Sequence, residues 1–354
     1  MDNLLRKESD TSAITSTPIT FNASGGEYFR IWIVNLLLSI VTLGIYSAWA
    51  KVRRNQYFYS STELAGGSFD YHGNPVAILK GRIAALLLFL LYSIAPQISI
   101  RASIVMVLVM AAALPWLIWR SLQFKLYNSS YRGIRFGFGG SARQAYTVFL
   151  LLPFLNLLTL GLLTPFVHQR LKQFQHTESR FGTSLFSFNG SVGGFYKAYA
   201  VLLGMILAGT VGMFLLGLVS ALTSARASGN PAAAAGPIII AMLVFYAWML
   251  TVVPLFLTMI QNLIWNHTRL QQHQFKSNLQ WGRSTVILLT NLLGVVFTLG
   301  LFTPFAQVRW LKYRLESVTL NVSGSLDAFV SDTEQQVGAA GEGMVDLLDF
   351  DLSI

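Results

Sequence analysis

The chain has 354 residues and a net charge of +10, with 53% hydrophobic residues against 11% charged ones. A soluble domain carries about 25% charged residues, so this composition excludes an ordinary water-soluble protein. The absence of cysteine excludes disulfides, thiolate metal sites and cysteine nucleophiles.

The first 17 residues are polar and are expected to form a disordered tail. The first 27 contain no apolar h-region, so no cleavable signal is read there. Short segments of alternating polarity, closed by Gly, Asn or Ser, then recur at 19–24, 68–74, 134–141, 185–191, 274–282 and 319–325. That pattern predicts a strand and turn, giving six strands. Uncharged stretches lie between them at 31–50, 83–100, 102–119, 145–167, 198–225, 227–268 and 285–306. Each is near or above the ~18 apolar residues that mark a candidate membrane span.

One motif occurs three times, in residues 35–53, 156–170 and 291–309. Each copy carries Asn, then Thr-Leu-Gly, then Arg: Asn35, Thr42 and Arg53; Asn156, Thr159 and Arg170; Asn291, Thr298 and Arg309. Gly44, Gly161 and Gly300 suit a left-handed helix terminus. Pro165 and Pro304 fit the first turn of a following helix. The chain thus divides into five pseudo-repeat units, at about 18–66, 67–131, 132–183, 184–272 and 273–326. Units two and four contain long helices with turns near 95–101 and 224–236. Residues 327–354 hold seven acids and no Lys or Arg, and are expected to form a disordered acidic tail, a candidate site for a protein partner.

Charge counting decides between two topologies for the Thr-Leu-Gly units. If each crosses the membrane, alternate loops carry 11 and 14 basic residues, which is no bias. If each is a bent hairpin that returns to its own side, only Arg101 and Arg226 lie on the far side, 23 against 2. The positive-inside rule favours the second arrangement. The expected fold class is therefore an α-helical polytopic membrane protein, built of repeated helix-hairpin units with short cytoplasmic β-strands between them. Four helices span, three pairs are re-entrant, and both termini are cytoplasmic.

The Thr-Leu-Gly segment running through an aromatic to Arg, and the strand of type Arg-Phe-x-Phe-x-Gly-Ser before a helix, resemble the YjgN-like bacterial inner-membrane family, domain of unknown function 898. The resemblance spans residues 20–325. It implies an inner-membrane location and brings no substrate, reaction or catalytic residue.

The residues themselves offer no catalytic set. Between residues 11 and 326 there are five acids, none inside an apolar stretch, which disfavours proton coupling through a membrane carboxylate. The five histidines lack metal-ligand spacing, and no phosphate loop or nucleophile motif is present. The chain is expected not to be an enzyme and to need no cofactor or metal. Asn35, Thr42, Asn156, Thr159, Asn291 and Thr298 are read either as sites around a substrate cavity between broken helices or as helix-packing hydrogen bonds. Arg53, Arg170 and Arg309 are expected at lipid headgroups. Anionic lipid at the cytoplasmic face is the expected partner, and nucleic acid is not. Two functions compete: a permease for a small solute or amphiphile, and a non-catalytic scaffold that binds anionic lipid or a protein.

Overall fold

A computed structural model describes residues 14–324 and, beyond them, 327, 329–331, 333 and 335. Its organising element is a closed barrel of ten antiparallel strands, in the order β1-β10-β9-β8-β7-β6-β5-β4-β3-β2. This corrects the expectation of a helical polytopic protein with short strands between its hairpins. Six segments were predicted, but ten strands form, and they make one continuous sheet without an edge. Closure satisfies the unpaired backbone groups that separate strands would expose.

The strands are β1 (Ile14–Phe21), β2 (Thr62–Leu64), β3 (Gly67–Tyr71), β4 (Ser129–Tyr131), β5 (Ile134–Phe138), β6 (Ser179–Phe181), β7 (Ser184–Phe188), β8 (Thr268–Leu270), β9 (His273–Ser277) and β10 (Val318–Ser323). Within each unit the first strand pairs with the last, and a helical hairpin is inserted between them. Two-residue turns join one unit to the next. Ala65-Gly66 and Arg132-Gly133 have positive φ at both positions, as a hairpin turn matched to strand twist requires. Pairing of Ile14–Pro18 with Thr319–Ser323 closes the ring. Strand β1 therefore starts at Ile14, inside the segment read as a disordered tail. All tight turns lie at one end of the barrel, and all five helical hairpins leave from the other.

The hairpins are α1 (Gly25–Val41) with α2 (Ser47–Ser60), α3 (Pro75–Ile98) with α4 (Ile100–Tyr127), α5 (Ala142–Leu158) with α6 (Thr164–Thr177), α7 (Val192–Ser228) with α8 (Ala235–Asn266), and α9 (Trp281–Phe297) with α10 (Thr303–Glu316). Neighbouring hairpins pack second helix against first all the way round: α2 on α3, α4 on α5, α6 on α7, α8 on α9 and α10 on α1. The hairpin ring thus repeats the order of the barrel beneath it.

The barrel interior is apolar. Phe69, Phe136, Phe186 and Phe275 follow one another around it, with ring centroids 6.2–6.5 Å apart, packed on Ile19, Leu64, Tyr131, Phe181, Leu270 and Leu320. Ser68, Asp70, Arg135, Arg180, Arg269 and Lys276 are exposed on the outside. A lipid-facing barrel is apolar outside and polar within, so these faces are those of a barrel in water. Trp265 and Leu315 close the helical end. At the tight-turn end Val330 is buried, and Phe329 stacks edge-on to His273 at 4.7 Å. Asp327 pairs with Arg132 at 2.5 Å. These helical residues belong to the segment read as a disordered tail, and they cap the barrel. The remainder of that tail, like residues 1–13, lies outside the described residues.

Helices α3, α4, α7 and α8 are long and apolar enough to cross a membrane. At ~1.5 Å per residue even α3 reaches ~36 Å, against a hydrocarbon core of ~30 Å. The α3–α4 turn falls at Ser99, which caps α4 through Ala102 N at 3.1 Å. Gly229, at positive φ, ends α7. Close approach of α7 and α8 depends on Gly209, where a Cβ would lie 2.4 Å from the Trp248 ring.

The other three hairpins are short. Each turns where Thr-Leu-Gly places two residues at positive φ: Leu43-Gly44, Leu160-Gly161 and Leu299-Gly300. The glycine N–H closes the helix end by donating to a carbonyl five residues back, at 2.7–2.9 Å. The Thr42 and Thr298 hydroxyls donate to the carbonyls of Leu38 and Gly294 and accept from the N–H of Tyr46 and Phe302. Leu43, Leu160 and Leu299 stand at the tips, 94–95% exposed.

Candidate anion-binding groove

Helix α2 carries Lys51, Arg53 and Arg54 from its second turn onward, and it packs against α3, which carries Arg82 in its third turn. Two cavities open along this junction. The first, about 460 Å³, lies between α1, α2, α3 and α10, and its polar wall includes Asn35, Ser39, Lys51, Arg54, Arg82 and Gln307. The second, about 740 Å³, continues between α3, α4 and the barrel rim, and adds Arg120 and Arg180. Lys51 and Arg82 line both, so the two form one groove. Among the described residues no Asp or Glu lines either cavity. Among the described residues none of the five cations is in an ion pair.

Unpaired like charges raise one another's free energy. The Lys51 ammonium is accordingly held below the usual lysine range, first by burial and then by repulsion from Arg82, Arg54 and Lys125. Further round the ring, burial lowers the Lys172 ammonium, with added repulsion from Arg314 and Lys125. An anion bound among these groups would relieve that repulsion. Among the described residues no three His, Asp or Glu side chains come together to hold a metal ion.

The residues singled out in the sequence are placed unequally. Thr42, Thr159 and Thr298 bond back to helix carbonyls at the hairpin turns. Asn156 accepts from the Thr164 hydroxyl at 3.2 Å. Asn291 donates to the Ala306 carbonyl and accepts from Arg309 at 2.9 Å. Asn35 alone of these six lines the groove. Pro165 and Pro304 occupy the first turn of their helices. Arg53 lies over the Tyr46 ring and Arg170 over Phe166, whereas Arg309 turns inward to Asn291 and Thr290.

Lys51, Arg54, Arg82, Arg120 and Arg180 were not singled out by sequence reasoning. One signal was available for Arg120. Arg53, Arg120, Arg170 and Arg309 each lie nine residues before the short strand that ends their unit. The Thr-Leu-Gly motif marks three of these units only, so the fourth arginine escaped notice. It lies over Trp116 and Trp119, at 5.8 and 5.5 Å.

A family profile described as "Bacterial protein of unknown function (DUF898)" matches residues 16–347. The chain belongs to this family. Relatives include the "Inner membrane protein YjgN" of Salmonella typhimurium, 31% identical over 40% of this chain and 36% of the relative. The proteins of that name from Escherichia coli O157:H7 and K12 are each 29% identical over 42% of this chain and 37% of theirs. The match therefore spans little more than a third of the length of these relatives. No solved structure matches the chain. Family membership and four apolar helices together make this a membrane protein.

Proposed function

We propose that this chain is an inner-membrane, permease-like protein that takes anionic amphiphiles from the bilayer into the groove between its first hairpin and its first spanning pair. The observation that carries the reading is the groove itself: five cations and, among the described residues, no carboxylate around two joined cavities. On this reading the long hairpins span, the three short ones dip into the leaflet through their exposed leucine tips, and the barrel stands in the cytoplasm. Arg101 and Arg226, near the tips of the long hairpins, are then the far-side cations, consistent with the positive-inside rule. The aromatic packing of the barrel leaves its axis filled, so the ligand enters and leaves sideways, between helices. Binding and movement of the ligand require no bond to be made or broken, and the role is non-catalytic.

Each cation within about 4 Å of a bound anion contributes roughly 4 kcal/mol of attraction at an effective dielectric of 20, before desolvation is subtracted. Neutralising Lys51 and Arg82, the two residues common to both cavities, is the sharpest perturbation. Full-length protein in proteoliposomes is expected to accelerate exchange of a fluorescent anionic lipid between leaflets over that of a zwitterionic one. Lys51→Gln with Arg82→Gln is expected to abolish the difference. Equal behaviour of the two lipids, unchanged by the substitutions, would remove the basis for the proposal.

A further inference from the structure

The pseudo-repeats act as internal controls for one another. Asn35 and Asn291 occupy corresponding places on the first helix of a short hairpin, each seven residues before its threonine, and Asn291 has its side-chain oxygen satisfied within the hairpin by Arg309. In the first unit the corresponding arginine, Arg53, lies over Tyr46 instead. Asn35 is left 7% exposed, and among the described residues its buried Oδ1 has no partner. A buried acceptor with no donor is costly, and such a group in a native fold calls for an explanation.

The hydroxyls beside it are turned to other acceptors. The Ser39 hydroxyl donates to the Asn35 carbonyl, Ser47 to the Gly44 carbonyl, and Tyr28 to Gln307 Oε1 at 2.9 Å. Arg82 reaches Ser47. What remains for an occupant is one unmet acceptor beside Lys51, Arg54 and Arg82. The complementary ligand is an anion that carries a hydroxyl. Trp32 and Leu36 form the apolar part of the wall, and the exposed leucines of α1 continue outward from it. Aromatic rings of this kind favour the headgroup level of a bilayer.

We propose that the first cavity seats a hydroxylated phosphodiester headgroup of the glycerophosphate type, its phosphate among Lys51, Arg54 and Arg82 and its hydroxyl donating to Asn35. This rests on the proposed function and narrows it to a headgroup class. The test compares three lipids on the purified full-length protein by native mass spectrometry. Phosphatidylglycerol and phosphatidylethanol carry the same charge, but the second has no hydroxyl; phosphatidylcholine has no net charge. Phosphatidylglycerol is expected to bind about 3- to 10-fold more tightly than phosphatidylethanol, the range of one net hydrogen bond. Asn35→Leu is expected to erase that gap while keeping the preference of both anionic lipids over phosphatidylcholine. Equal binding of the two anionic lipids to the unaltered chain overturns the headgroup assignment and leaves the proposed function standing; that comparison needs no variant to fold. Loss of all preference for negative charge overturns both. Glycerol 3-phosphate added as competitor separates the sources. Displacement of the lipid assigns the free headgroup and no displacement assigns the membrane lipid, and in either case the hydroxyl discrimination supports the seat.

Discussion

Three arginines that the sequence presents as equivalent should differ sharply on removal. Arg309 donates to Asn291 Oδ1 at 2.9 Å and to Thr290 Oγ1 at 3.2 Å, and Asn291 is 6% exposed. Arg309→Met therefore leaves a buried acceptor unmet and removes a hydrogen bond to a charged group, a loss of about 1.5–3 kcal/mol. Arg53 and Arg170 lie over aromatic rings at 5.9 and 5.0 Å on exposed surface, where such contacts contribute about 0.5–1 kcal/mol. Arg53→Met and Arg170→Met should thus be mild. Unfolding of each variant in detergent micelles, followed by tryptophan fluorescence, measures the order. A double variant adding Asn291→Leu to Arg309→Met should recover part of the loss, because the unmet acceptor disappears with its partner. Equal destabilisation by all three arginine substitutions would refute the assignment of Arg309 as the donor to Asn291.

Two further outcomes follow for the hairpin tips and for the buried histidines. The native chain has no cysteine, so Leu43→Cys, Leu160→Cys and Leu299→Cys each give a single labelling site. All three should carry a bimane probe quenched by brominated lipid chains and stay closed to impermeant reagents on the far side, where Arg101→Cys reacts; far-side labelling of any tip would show that hairpin to span. The second outcome concerns pH. Burial, with added repulsion from Lys172, lowers His168 and His176 from 6.5 to about 4. Above pH 6.5 both rings are neutral folded and unfolded, and their contribution is complete. Between pH 6.5 and 4 the unfolded chain binds protons that the folded chain excludes, so stability falls by at most about 1.4 kcal/mol per pH unit per ring. His176→Gln should flatten that slope, and a stability unchanged over this window would contradict the burial.

The units were legible because their signals are local. Thr-Leu-Gly places a left-handed residue pair at a helix end, and the chemistry of that turn is contained in a few consecutive residues. The long hairpins were legible through length and apolarity. The strands ending the first four units were missed, since β2, β4, β6 and β8 have three residues each, too few for alternation to register. Asn35, Asn156 and Asn291 were found as a set, but the different fates of Asn35 and Asn291 depend on whether the arginine of the unit turns to the asparagine, as Arg309 does, or to an aromatic ring, as Arg53 does.

The sequence alone determined a membrane protein, and it set the expectation of five repeated units with nearly all the positive charge on one side. Composition, repeat spacing and charge count are properties of the chain that survive any fold. Only the tertiary structure decided that the strands close into a water-facing barrel, because closure rests on Ile14–Pro18 pairing with Thr319–Ser323 across the whole length of the chain. It also decided where the charge gathers. Lys51, Arg82, Arg120 and Arg180 come from four separate elements, and they become one groove only when the ring of hairpins is complete.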